Sequence, residues 1–100
     1  MSNEEFKIIN KIFELKEIKS GHILYQRYAE AADARDRERV YEWKLIKFLG
    51  YQNAEGSEEK DLLLNRYFIK KIGIEYPKKI TSEVKKNILR EIRLNELGIK

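Results

Sequence analysis

The sequence predicts an all-α fold, a small irregular four-helix bundle with a long second helix. Apolar residues recur every three or four positions through most of the 100-residue chain, and no alternating run is long enough to indicate a strand. Four such stretches are separated by segments that contain glycine or proline, the residues that most often end helices. A chain of this length typically forms one domain, so we expect a single helical domain over residues 1–100.

The first predicted helix covers residues 2–20. Ser2 and Glu5 fit the capping-box pattern, in which each side chain accepts a hydrogen bond from the other residue's amide. Isoleucine, leucine and phenylalanine fill one half of the helical wheel, and lysine, asparagine and glutamate fill the other half. We therefore expect one buried face and a helix that ends at Gly21, a residue that readily adopts the left-handed cap conformation.

The second predicted helix covers residues 22–49 and closes at Gly50. It contains no glycine or proline and is rich in good helix formers. If continuous, it would span about 42 Å, whereas a compact 100-residue domain has a radius of gyration of about 13 Å. Either the helix kinks near residues 33–36, or one half of it packs against a second copy of the chain. The absence of helix breakers favours a continuous helix, and a homodimer is therefore one hypothesis.

The middle of this helix, residues 33–39, carries no large apolar side chain, and we call it the charged segment. Asp33 and Arg37, and likewise Arg35 and Glu38, are spaced to form ion pairs along the helix. A solvated stretch between ordinary packing contacts is the simplest interpretation. Arginine, tyrosine and tryptophan are also enriched at the energetic centres of protein interfaces. The candidate protein-interface residues are Trp43, Arg35, Arg39 and Tyr41.

The last two predicted helices cover residues 57–72 and 81–97. Apolar residues surround most of the third helix, which predicts that it is the central helix and that Phe68 is buried. Gly73 is expected to end it. The fourth helix has one apolar stripe and a polar face on the opposite side. We expect that polar face to contact either solvent or a partner.

Positive charge is concentrated in the C-terminal half of the chain. Residues 66–93 contain nine Lys or Arg and three Asp or Glu. Residues 1–50 are close to neutral, with ten Lys or Arg and nine Asp or Glu. Such a segment can attract an anionic partner, although lysine-rich solvated faces are common on small helical proteins. Helices 3 and 4 could form a loose helix-turn-helix arrangement that places basic side chains along phosphates. The candidate nucleic-acid-binding residues are Lys86, Arg90, Arg93, Lys79, Lys78, Lys70 and Arg66.

Signals of catalysis and of metal binding are scarce. The chain has no cysteine and its only histidine is His22, which excludes disulfides, cysteine-based zinc sites and histidine-pair metal sites. No glycine-rich phosphate-binding loop is present, and the serines lie where helix caps are expected. We therefore expect a protein that is not an enzyme and that uses no cofactor and no metal.

The leading functional hypothesis is a small helical binding protein that uses the basic face of helices 3 and 4 on nucleic acid or on a nucleic-acid-containing complex. The alternative is a protein–protein adaptor or inhibitor, for example phage- or virus-encoded, either monomeric or homodimeric, with no nucleic-acid contact. The acidic N-terminal segment has no signal-peptide pattern, and no apolar run approaches the roughly 18–20 residues of a membrane span. We expect a cytoplasmic protein with no membrane partner.

Overall fold

The computed structural model describes residues 2–96, and over that range the chain forms four helices and no strand. The helices are α1 (Asn3–Leu24), α2 (Tyr28–Phe48), α3 (Ser57–Lys71) and α4 (Ser82–Glu96). The predicted all-α class and the predicted number of helices are therefore confirmed. The predicted end of the fourth helix at residue 97 lies outside the described residues.

The turn between α1 and α2 lies later in the chain than the sequence predicted. α1 continues through Gly21 to Leu24, and the chain reverses at Tyr25–Arg27, where Gln26 has a φ of 57°. The amide of Arg27 donates to the carbonyl of His22 across this turn, at 2.7 Å. The prediction that Gly21 ends the first helix is wrong. A glycine inside a helix costs only about 1 kcal/mol, a penalty small enough for α1 to continue through Gly21.

The second helix begins at Tyr28 and not at the predicted residue 22, but its 21 residues still make it long beside α3 and α4, which have 15 each. α2 is also continuous through the charged segment, as predicted. At 1.5 Å per residue it spans about 32 Å, and the chain measures 41 × 34 × 21 Å along its principal axes. The helix thus fits within the body of the protein, and its length no longer argues for a dimer.

The core lies between the N-terminal two-thirds of α1, the C-terminal half of α2, and the inner faces of α3 and α4. Phe68 of α3 is fully buried, as predicted. The prediction that α3 is the central helix is wrong, since its outer residues Leu62 and Ile69 are 65% and 50% exposed. The fully buried side chains are those of Phe13, Phe68, Ile9, Ile12, Leu45, Ile46, Leu64, Ile72, Ile80 and Ile92.

The segment between α3 and α4 returns to the core and places one tyrosine there. Gly73 has a φ of 86°, and its amide donates to the carbonyls of Phe68 and Ile69 at 3.0 and 3.1 Å, which ends α3 as predicted. The amide of Tyr76 then donates to the Asn65 side-chain oxygen at 2.8 Å. This hydrogen bond holds Tyr76 against α3.

Candidate functional site

One side of the charged segment faces α1 and is buried. Ala34 and Glu38 are 3% and 5% exposed. The Glu38 carboxylate accepts hydrogen bonds from Lys16 Nζ at 3.0 Å and from Lys19 Nζ at 2.9 Å. The small Ala34 side chain leaves room for α1 to approach. The Glu38 carboxylate supplies the negative charge that pairs with Lys16 and Lys19 of α1. The charged segment is therefore part of the interface between α1 and α2. Ion pairs hold the two helices together there, in place of large apolar side chains.

Of the two ion pairs predicted along α2, the structure contains one. Arg37 Nε lies 3.2 Å from Asp33 Oδ2, and both side chains are exposed. The predicted pair of Arg35 with Glu38 is wrong, because Glu38 points toward α1. An exposed pair such as Asp33–Arg37 stabilises the helix by only a few tenths of a kcal/mol.

Glu42, one turn after Glu38, extends the buried charges to α3. Its Oε1 accepts from Lys60 Nζ at 2.7 Å, its Oε2 lies 4.0 Å from Lys16 Nζ, and the Tyr76 hydroxyl donates to the same carboxylate. Lys16, Glu42 and Lys60 are all buried. These side chains connect three helices and the segment before α4. We call the following set the buried ion cluster: Lys16, Lys19, Glu38, Glu42, Lys60 and Tyr76.

The buried ion cluster is electrostatically satisfied. Removing a charge from water costs several kcal/mol, which only a close partner with good geometry offsets. Each carboxylate here has two hydrogen-bond donors, and Lys16 Nζ also lies 4.7 Å from the centre of the Tyr76 ring. The arrangement explains how a small domain tolerates these charges, and removing any one partner would leave a buried charge uncompensated.

Burial and the neighbouring carboxylates raise the pKa of Tyr76 well above the ordinary value of 10.0. The largest cause is desolvation of the phenolate, and the next is the negative charge of Glu42. Tyr76 therefore stays protonated over the whole neutral range, and its hydroxyl donates a hydrogen bond to the Glu42 carboxylate.

The raised pKa of Tyr76 predicts a loss of stability at high pH. Above about pH 10 the unfolded chain releases the phenol proton while the folded chain keeps it, so the free energy of unfolding falls as the pH rises. We expect this fall, measured by urea titration, to be steeper for the wild type than for Tyr76→Phe. In a titration followed by absorbance at 295 nm, the variant should lack one tyrosine that ionises well above pH 10 in the wild type. Equal slopes for the two proteins would contradict the assignment.

A cleft of about 680 Å³ opens above the buried ion cluster, between α2, α3 and the segment before α4. Its lining includes exposed side chains of both signs, so the opening has no strong preference for one charge. Arg35 and Arg39, two of the candidate protein-interface residues, line this cleft together with Lys78. The sequence did not predict that these residues lie together. The acidic side chains exposed in the lining are Glu58, Asp61 and Glu75.

Tyr41 and Trp43, the other two candidate interface residues, are half-buried and pack against the hydrophobic core. The Lys44 ammonium group lies 4.5 Å from the centre of the Tyr41 ring. Tyr41 and Trp43 both lie at the edge of the core on α2. Unlike Arg35 and Arg39, neither of them lines the cleft. A role for Tyr41 and Trp43 in an interface stays a prediction.

All seven candidate nucleic-acid-binding residues are exposed; they lie on α3, on α4 and in the segment between them, and we call the set the basic surface. Arg90 donates to the Asn87 side chain at 3.0 Å. Within the described part of the chain, none of the seven forms an ion pair. The lysines of the buried ion cluster contrast with them, because each contacts a glutamate. The basic surface consists of Arg66, Lys70, Lys78, Lys79, Lys86, Arg90 and Arg93.

Two other kinds of site are absent from residues 2–96. No group of three or more His, Cys, Asp or Glu side chains in that range is arranged to hold a metal ion. Over the same residues, every helix falls short of the length and apolar character that a bilayer crossing requires. No protein family, curated protein or solved structure shows a significant match to the chain. The basis for a functional assignment is therefore the chemistry of the surface.

Proposed function

We propose that the protein is a non-enzymatic binding protein that contacts the phosphates of nucleic acid through the basic surface. The observation that carries the proposal is the lack of neutralising partners: in residues 2–96 these seven exposed cations make no ion pair. An exposed cation without an intramolecular partner attracts anions at its full charge. Nucleic acid presents the closely spaced negative charges that such a set fits, and phosphate contacts supply most of sequence-independent binding.

The geometry of α4 supports a row of phosphate contacts. Lys86, Arg90 and Arg93 follow one another at intervals of four and three residues, so they lie on one face of the helix. That face is opposite the buried Ile88 and Ile92. The first and last residues of the row are seven positions apart, or about 10 Å, which corresponds to about three nucleotide steps along a strand. α4 can therefore lie along a backbone without exposing its apolar stripe.

Oligonucleotide binding measured against salt concentration tests the proposal. Four to six phosphate contacts predict a slope of about −3 to −5 in a plot of log affinity against log salt. Changing Lys86, Arg90 and Arg93 together to alanine should make the slope less steep by as much as three units. The free energy of unfolding should change little, because exposed charges contribute little to folding. Fluorescence anisotropy with labelled duplex and single-stranded oligonucleotides supplies the affinities.

A matched control separates a defined surface from a general effect of net charge. Changing Lys7, Lys44 and Lys47 to alanine removes the same charge from exposed positions on α1 and α2. This variant should keep most of the wild-type slope, and an equal loss in both variants would contradict the assignment of the basic surface. The proposal as a whole fails if the wild type shows no oligonucleotide binding at about 50 mM salt and about 10 µM protein, where non-specific contacts usually register.

A further inference from the structure

The end of the α1–α2 hairpin exposes five large apolar side chains. From residue 17 to residue 30 no side chain is buried, so this part of the hairpin lies outside the core. The five side chains are 42 to 74% exposed, and Leu24 and Tyr25 are the most exposed of them. We call the following set the apolar tip: Ile18, Ile23, Leu24, Tyr25 and Tyr28.

The summed exposed area of the apolar tip is comparable to that of the largest apolar patch on a typical monomer. A tyrosine side chain presents about 150–250 Å², so Tyr25 and Tyr28 together leave roughly 270 Å² uncovered at their exposed fractions. The three aliphatic side chains bring the total to roughly 500 Å², and apolar patches of this size on monomers are often functional. Because Ile18, Ile23 and Leu24 point to different sides of α1, two tips placed against each other bury at most about 1,000 Å², the lower limit for a specific interface.

The charges around the apolar tip suit contact with a second copy of the same chain. Arg27 and Glu30 flank Tyr28 and are exposed, and neither has an ion-pair partner in residues 2–96. A two-fold symmetric contact places one patch against an identical patch, so the patch must be complementary to itself. Neighbouring charges of opposite sign meet that requirement, since Arg27 of one copy can approach Glu30 of the other. A surface that binds anionic lipid would instead favour basic residues alone.

We propose that the apolar tip is a symmetric homodimer interface, in which the hairpin ends of two copies cover each other and Arg27 pairs with Glu30 across the contact. The area indicates a weak dimer. The interface lies on the hairpin, and it is independent of the basic surface and of nucleic-acid binding.

Sedimentation equilibrium over about 10 µM to 1 mM protein, the range in which weak interfaces of this size associate, tests the proposal. The mass of the wild type should rise from the monomer value of 12.0 kDa toward twice that value. Changing Leu24, Tyr25 and Tyr28 to serine should weaken association at least tenfold. Urea unfolding at low concentration should be almost unchanged, because these side chains lie outside the core.

Two comparisons make the outcome decisive. Val40→Ser and Leu62→Ser remove apolar side chains that are 54% and 65% exposed elsewhere, and these variants should associate like the wild type. Arg27→Glu should abolish association, and combining it with Glu30→Arg should restore it. The proposal is overturned by a wild type that stays at 12.0 kDa throughout, or by association that the serine variant retains. Flotation of the monomeric protein with anionic vesicles, lost in the serine variant, would assign the tip to a lipid surface and would also overturn it.

Discussion

Replacing Phe68 with alanine is expected to lower the free energy of unfolding by about 3–5 kcal/mol. Phe68 is fully buried, and its ring centre lies 5.7 Å from that of Phe13 and 4.9 Å from that of Tyr76, both in edge-to-face arrangement. The substitution removes these contacts and leaves a cavity at the junction of α1, α3 and the segment before α4. A domain of this size has about 5–10 kcal/mol of stability, so the variant would lie near the limit of folding. Urea titration followed by circular dichroism measures the loss.

The neighbouring residue supplies the control for this substitution. Ile69→Ala removes a side chain of α3 that is 50% exposed, so its cost should stay below about 1 kcal/mol. The two variants have the same helical context and differ mainly in burial. If Phe68→Ala costs less than about 1 kcal/mol, the packing of α3 against α1 described above is wrong.

Helix ends that depend on local chemistry were predictable from the sequence. The capping box is present, since the Glu5 amide donates to Ser2 Oγ at 3.1 Å and the Ser2 amide to Glu5 Oε1 at 3.4 Å. Gly50 and Gly73 follow the ends of α2 and α3 with φ of 94° and 86°, a conformation that glycine adopts at little cost. These signals involve residues a few positions apart, so a single sequence contains them.

The position of the first turn was not predictable in the same way. Gly21 is a good helix-ending residue, but α1 passes through it and the left-handed position falls on Gln26. The extra turn of α1 lies next to Lys19, whose pairing with Glu38 depends on the approach of α2. A glycine inside a helix costs only about 1 kcal/mol, so the local signal at Gly21 was too weak to fix the boundary.

The buried ion cluster was not predicted from the sequence, because every charged side chain was placed on the solvent-exposed surface. A signal was nevertheless present. Lys16 falls on the same side of the α1 wheel as Ile9 and Ile12, and Glu38 and Glu42 continue the line of small and apolar residues on α2. Charges of opposite sign on two facing apolar stripes indicate a buried pair, because neither could be buried alone. The basic surface was easier to predict, since unpaired lysine and arginine are almost always exposed.

Removing the charge of Glu42 is the sharpest test of the buried ion cluster, and we expect Glu42→Gln to cost about 3–5 kcal/mol. Glu42 is 3% exposed and accepts from Lys60 Nζ at 2.7 Å and from the Tyr76 hydroxyl. Glutamine preserves the size of the side chain, so packing changes little. The loss arises because Lys60, which is 4% exposed, keeps its charge without the closest counter-charge. Urea titration at neutral pH measures it.

A double-mutant cycle with Lys60→Met separates this electrostatic effect from packing. Lys60→Met alone leaves the Glu42 carboxylate without its closest cation and should also destabilise the fold. In the double variant no charge is left unmatched at this position, and the buried methionine adds apolar contact. Its loss should therefore be smaller than the sum of the single losses by about 1–3 kcal/mol. Additivity within about 0.5 kcal/mol would mean that water screens the pair, and the 2.7 Å contact would then contribute little to holding α2 against α3.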